Sequence, residues 1–188
     1  MLLRTWPLLL GALVLASCDE EREPVQPAEA ASETAQAPAR SDGLLGVGAP
    51  APELGLPDQS GTLRRLGDFR GKQIVLYFYP RDATPGCTVE ARGFRDAYSE
   101  IEEAGAVVLG VSTDDVSSHA EFAGDEELPF PLLADRDERI ARAYGVGLTL
   151  GMASRVTFVI DERGVVKQVF PDVDPSQHVD EVLRVLRN

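Results

Sequence analysis

The chain has 188 residues, room for one domain of about 140 residues behind a processed N-terminus. With 18 Lys and Arg against 31 Asp and Glu, its net charge of −13 argues against nucleic acid or an anionic membrane surface as a partner of the folded part. Its two cysteines, Cys18 and Cys87, provide no disulfide within one domain, and without a C-x-x-C or Cys/His cluster no metal or other cofactor is expected.

In chain order, Met1 to Cys18 carries Arg4 and then an apolar run from Leu8 to Ala16. That run is too short for a membrane span of roughly 20 residues and reads as an export signal over residues 1–17. Its end, Leu15-Ala16-Ser17-Cys18, resembles the lipobox of bacterial lipoproteins, where cleavage leaves a lipidated cysteine as the first residue. The resemblance implies a chain anchored to a membrane through Cys18, on the extracytoplasmic (periplasmic) side; the plainer reading is a secretory signal with an incidental cysteine. Residues 18–45 form an acidic segment rich in Ala, Pro and Ser with no aromatic residue, a composition that cannot bury enough surface to fold. As a flexible coil it would hold the following domain about 30 Å from its anchor.

The domain is assigned to residues 46–188. After an extended lead-in at Val47 to Pro52, the segments Leu54 to Leu56 and Thr62 to Leu66 flank Pro57-Asp58-Gln59-Ser60-Gly61 and predict a hairpin. Gln73 to Tyr79 is a continuous apolar run, expected as a buried central strand. A helix is expected from Cys87 to Ala104, with Val89, Phe94, Tyr98 and Ile101 inward and Arg92, Arg95, Glu102 and Glu103 outward. Ala106 to Ser112 predicts a second buried strand, Ser117 to Phe122 a helix, Phe130 to Ala134 a short strand and Asp137 to Tyr144 a helix ended by Gly145. Arg155 to Asp161 and Val165 to Phe170 predict a hairpin, and Ser176 to Leu186 a closing amphipathic helix. The order predicts an α/β fold, three layers around a mixed sheet, with an N-terminal hairpin. His119 and His178 fall in helices expected at the surface and receive no role.

Between the central strand and the first helix stands Cys87. A lone cysteine is by default a small buried hydrophobe. Here, though, Pro85 and Gly86 break regular structure just before it, and Thr84 supplies a hydroxyl. A helix start also presents unpaired amides and the positive end of the dipole, both of which favour thiolate over thiol.

The spacing Pro80-x-x-x-Thr84-x-x-Cys87 resembles the active-site motif of the peroxiredoxins, thiol peroxidases of the thioredoxin-like fold. The longer pattern Tyr79-Pro80-x-Asp82-x-Thr84-Pro85-Gly86-Cys87-Thr88-x-Glu90 is similar to the subfamily called bacterioferritin comigratory protein, or PrxQ. A later landmark, Arg155-Val-Thr157-Phe158-Val-Ile-Asp161, matches that family's strand with its active-site arginine. The resemblance implies that Cys87 attacks hydrogen peroxide or an organic hydroperoxide and becomes a sulfenic acid. It implies further that Thr84 hydrogen-bonds thiolate or peroxide, Arg155 stabilises the developing charge and Pro80 shields the pocket from water. Glu90 is read as a capping or ion-pair residue outside the catalytic set.

Members of the subfamily commonly carry a resolving cysteine five residues after the peroxidatic one; here that position is Arg92. The resemblance therefore implies a one-cysteine enzyme whose sulfenic acid is reduced by an external thiol, either a thioredoxin-like protein or a small thiol, in a chain that is a monomer or weak dimer. The segment Gly147 to Ser154 is shorter and less basic than the subfamily pattern. Two other classes are weighed beside this one: a redox-sensing lipoprotein without enzymatic activity, and a thioredoxin-like thiol-disulfide exchange protein.

Overall fold

The computed structural model describes residues 43–188. The signal, Cys18 and the tether up to residue 42 lie outside the described residues. Leu44 and Leu45, assigned by composition to the end of the tether, are buried in the domain, and the Leu45 amide donates to the Tyr144 carbonyl at 3.0 Å.

The expected N-terminal hairpin is short, pairing β1 (Leu56–Pro57) antiparallel with β2 (Leu63–Arg64). Its turn is organised by the Asp58 carboxylate, which accepts from the Ser60 and Thr62 amides, the Ser60 hydroxyl and Arg64 Nε. Asp58 thus does locally what a glycine-based turn does with backbone alone. A 3₁₀ turn at Leu66–Phe69 leads into β3 (Gln73–Phe78), in which every residue is buried.

The next helical stretch is split. The structure has α1 (Pro85–Asp96) and α2 (Tyr98–Glu103), separated at Ala97, where the sequence carries no glycine or proline to announce a break. Then come β4 (Ala106–Ser112), α3 (Val116–Asp125), β5 (Leu132–Ala134) and α4 (Arg139–Ala143). A small hairpin absent from the sequence-based expectation, β6 (Leu148–Thr149) with β7 (Met152–Ala153), precedes β8 (Val156–Ile160), β9 (Val166–Phe170) and α5 (His178–Leu186).

The main sheet has the order β5-β4-β3-β8-β9. β3, β4 and β5 run parallel, whereas β8 is antiparallel to β3 and β9 to β8, so the sheet is mixed as expected. Because strand side chains alternate between faces, the apolar runs feed two cores. Ile74, Leu76, Phe78, Leu109, Val111 and Phe158 meet Ile140 and Tyr144 on one face. Val75, Tyr77, Tyr79, Val108 and Val159 meet Phe94, Ile101, Phe122 and Val182 on the other. At the crowded centre Tyr77 pairs with Gly110, and a Cβ there would lie within 2.8 Å of the Tyr77 ring and its hydroxyl. This face, carrying α1, α2, α3 and α5, is the one that holds Cys87.

Candidate active site

The site begins where β3 runs out. Beyond Phe78, the Tyr79 amide still donates to the Val111 carbonyl at 3.1 Å, and then Pro80, which has no N–H to give a ladder, turns the chain away. Five residues later Pro85 occupies the first helical position of α1, with extended Thr84 before it (φ −81°, ψ 149°). That is the backbone an N-cap requires, and proline is pre-organised for the first turn. The first bond of the helix runs from the Thr88 amide to the Thr84 carbonyl at 2.9 Å, leaving the Gly86 and Cys87 amides with no partner inside the helix. Cys87 therefore sits in the first turn as expected, although the helix starts two residues earlier.

The thiol is 1% exposed and belongs to the apolar cluster with Tyr77, Tyr79, Ala91 and Phe94. Arg155 comes from the far side of the chain. The β3/β8 register, with Tyr77 opposite Thr157 and Phe78 opposite Val156, puts Arg155 just before β8 and beside the point where the chain leaves β3. Its Nη2 donates to Cys87 Sγ at 3.2 Å, while Nη1 donates to Glu90 Oε2. Gly86 permits this approach, since a Cβ there would sit 3.3 Å from Nη2 and press on the guanidinium.

Of the four residues singled out by sequence, two are in direct contact, and a fifth, Glu90, joins them. Cys87 and Arg155 touch. Thr84 stands at the helix start, and its hydroxyl donates to the Arg81 carbonyl at 3.1 Å, which leaves its oxygen lone pairs as acceptors. Pro80 is half-buried at the exit from β3. Glu90, left outside the catalytic set by sequence, is fully buried one turn beyond Cys87 and holds the second arm of the Arg155 fork. Burial raises its carboxyl from 4.5 to about 7, against the opposing pull of the Arg155 charge and hydrogen bond. Its second oxygen, Oε1, is buried without a hydrogen-bond partner. Burial opposes the charge on Arg155 as well, but Glu90 and the Cys87 sulfur outweigh it and push the guanidinium further up.

A test of this pair follows from the sign of the Glu90 shift. A carboxyl raised in the fold binds its proton more tightly there than in the unfolded chain, so it costs stability as pH rises through the window from 4.5 to about 7. The full shift corresponds to about 3 kcal/mol. In a Cys87→Ser background, Glu90→Gln is expected to gain stability relative to its parent between about pH 4.5 and pH 8. Urea midpoints read at both ends of that window check it, and a gap that stays constant contradicts the burial of an ionisable Glu90.

Both histidines expected at the surface are buried. His178 Nε2 pairs with the Thr157 hydroxyl at 2.8 Å and joins the start of α5 to β8; burial, aided by the Arg155 charge, lowers it to about 4 and keeps the ring neutral near pH 7. His119 lies against Asp82, with Nδ1 2.8 Å from Oδ2. Val89, expected inward, is 48% exposed, because the buried stripe of α1 runs through Cys87, Glu90, Ala91 and Phe94 instead.

A thiol and a guanidinium in contact at a helix start suit attack on a peroxide bond, and residues 47–169 match the AhpC/TSA family. The chain belongs to the AhpC/TSA family. A Coxiella burnetii protein bearing the peroxiredoxin bcp name is 46% identical over 144 residues, 73% of this chain and 95% of that protein. The crystal structure of peroxidoxin BcpB from Mycobacterium tuberculosis superposes with a TM-score of 0.71 at 39% identity, covering 75% of this chain and 96% of that one. The Xanthomonas campestris bacterioferritin comigratory protein, solved as trapped intermediate and ligand complexes bearing on its alkyl peroxide reduction activity, has a TM-score of 0.67 at 37% identity. It covers 71% of this chain and 90% of that one. The chain is a peroxiredoxin of the BCP/PrxQ kind, a thiol-dependent peroxidase on a thioredoxin-like fold.

Proposed function

We propose that the enzyme reduces hydrogen peroxide and organic hydroperoxides by a one-cysteine cycle centred on Cys87. The observation that carries this reading is the 3.2 Å contact between Arg155 Nη2 and Cys87 Sγ, in a chain whose domain contains no other sulfur nucleophile. The Cys87 sulfur, as thiolate, attacks the terminal peroxide oxygen; the S–O bond forms as the O–O bond breaks, and the leaving oxygen takes a proton to depart as water or an alcohol. The Cys87 amide and the Arg155 guanidinium would donate to the oxygens on which charge develops. Thr84, whose hydroxyl proton goes to the Arg81 carbonyl, would accept from the peroxide, and Pro80 would keep bulk water from the sulfur. Organic hydroperoxides are included because the Xanthomonas campestris relative is associated with alkyl peroxide reduction.

The cycle closes outside the domain. Position 92 holds an arginine whose Nε and Nη2 both donate to Glu126, so no second thiol stands there to attack the sulfenic acid. An external thiol condenses with it to a mixed disulfide and water, and a second thiol then releases Cys87 and takes away the disulfide. Mass spectrometry after one equivalent of peroxide should find Cys87 as sulfenic acid, converted to an adduct on adding a small thiol. A domain that reacts no faster than free cysteine sinks the proposal.

We propose further that the N-terminal segment is a lipoprotein signal, that Cys18 is the lipidated residue holding this activity at a membrane on the extracytoplasmic side, and that the chain is otherwise a monomer or weak dimer. Its support is the Leu15-Ala16-Ser17-Cys18 sequence at the end of the apolar run. Metabolic labelling with a fatty acid should mark the wild type and not Cys18→Ala, and equal labelling of the two would overturn the anchor.

A further inference from the structure

A buried polar cluster lies behind the loop that joins β3 to α1, and the cycle above does not use it. Asp82, in the middle of that loop, is 7% exposed, and its carboxylate faces three side chains. The Tyr79 hydroxyl donates to Oδ1 at 2.7 Å, and the Ser118 hydroxyl donates to Oδ2 at 2.7 Å. His119 Nδ1 lies 2.8 Å from the same Oδ2, with its ring fully buried and its Nε2 left without a partner. The loop's backbone is tied from the same side, since the Asp82 amide donates to Asp114 Oδ2 at 2.8 Å and the Ser112 hydroxyl donates to that oxygen at 3.0 Å. Burial alone would raise the Asp82 carboxyl, but bonds from His119, Ser118 and Tyr79 hold it below the ordinary range.

A buried carboxylate with three donors is a costly arrangement, and its place in the chain indicates what it does. Ala83, next to Asp82, has a φ of +53°, a left-handed conformation that costs an alanine about 1 kcal/mol and persists only where its surroundings enforce it. Pro80 stands two residues before Asp82 and Thr84 two residues after. Both residues assigned to the peroxide pocket therefore hang from one pinned point.

We propose that the Asp82–His119 pair, with Tyr79 and Ser118, is a positioning device for the peroxide step: it fixes the Pro80–Thr84 loop so that Thr84 and the first turn of α1 meet the incoming peroxide in reactive geometry. The inference rests on the peroxidase reading of Cys87 and extends it to residues that touch neither sulfur nor substrate. The α3 end of the device is itself rigid, because Asp115 caps that helix by accepting from the Ser118 amide at 2.9 Å. A small displacement of a loop that orients a substrate costs far more rate than stability, whereas a structural bolt costs stability alone.

The test compares His119→Leu, which fills the space without a donor, with His119→Asn, whose amide nitrogen can stand where Nδ1 does. Two rates are read on Cys87: oxidation by hydrogen peroxide, and alkylation by iodoacetamide, which needs an accessible thiolate but no peroxide pocket. For His119→Leu the peroxide rate is expected to fall about tenfold or more while alkylation stays within about threefold, and for His119→Asn most of the loss is recovered. Peroxide oxidation unchanged in His119→Leu, a parallel fall of both rates, or no rescue by asparagine overturns the proposal. Should His119→Leu fail to fold, Ser118→Ala removes one donor from the edge of the cluster and is expected to show the same selective loss at about threefold; equal effects on the two rates overturn the proposal there as well. A wild type no faster than free cysteine would instead remove the peroxidase reading itself.

Discussion

Cys87→Ser is expected to abolish peroxidase turnover while leaving the domain folded. Serine keeps the size and shape of the side chain, and the new hydroxyl oxygen inherits a hydrogen bond from Arg155 Nη2, which now reaches the sulfur at 3.2 Å. Burying that hydroxyl beside a donor costs about 1 kcal/mol, well inside the margin of an ordinary domain. A serine hydroxyl is ionised far less readily than a thiol and has no oxidised form equivalent to a sulfenic acid, so turnover should drop to the uncatalysed background. Peroxide consumption with dithiothreitol, read beside a urea melt, separates loss of chemistry from loss of fold. Turnover that survives in the folded variant would relocate the chemistry away from Cys87.

Removal of the guanidinium is the second large effect. Arg155→Met should lower the peroxide rate by about 10²- to 10³-fold, the usual loss when one pre-organised donor to a developing anion is deleted. Breaking a buried ion pair ordinarily costs about 3–5 kcal/mol. Less is expected here. Glu90 already sits at about 7, and with the Arg155 charge gone it moves further up and stays neutral near pH 7, so no naked carboxylate is left behind. Arg155→Lys should recover only part of the activity, because a single ammonium cannot span Sγ and Glu90 Oε2 as the two arms of the fork do. Stopped-flow peroxide kinetics with urea midpoints on the three proteins would reveal the pattern; equal rates for Met and Arg at position 155 would dismiss the assigned role.

The parts of the fold legible in sequence were those with a strong period. The runs behind β3 and β4 are apolar enough to read as buried strands, those behind β8 and β9 read as a hairpin, and the observed ends of all four differ by one residue or none. The small β6/β7 hairpin is held by only two residue pairs, too few to leave a pattern. The errors at the site share one cause. Polarity alone puts the histidines at the surface and makes Glu90 a capping or ion-pair residue, whereas the buried stripe of α1 passes through Glu90, that of α3 through His119, Phe122 and Ala123, and that of α5 through His178, Val182 and Leu183. Each of these polar residues sits at helical spacing from its buried apolar neighbours, and that spacing was the available signal. A titratable group on such a stripe must find a partner, and the partners, Arg155, Asp82 and Thr157, come from elsewhere in the chain. Sequence names the thiol; it does not name the distant groups that a fold brings to it.

The pairing of β3 with both β4 and β8 also governs when activity appears during folding. Cys87 belongs to a local unit, since β3 and β4 are parallel neighbours joined by α1 and α2 within residues 73–112. Arg155 arrives only with the β3/β8 ladder, 68 residues beyond the thiol it touches. The apolar cluster around the sulfur draws on the same late-coming half, through Val159 of β8 and Val182 of α5, so thiol, cation and cluster are complete only when that long loop has closed. Regain of peroxide reactivity during refolding is therefore expected to report closure of the antiparallel half of the sheet, with the thiol as its probe.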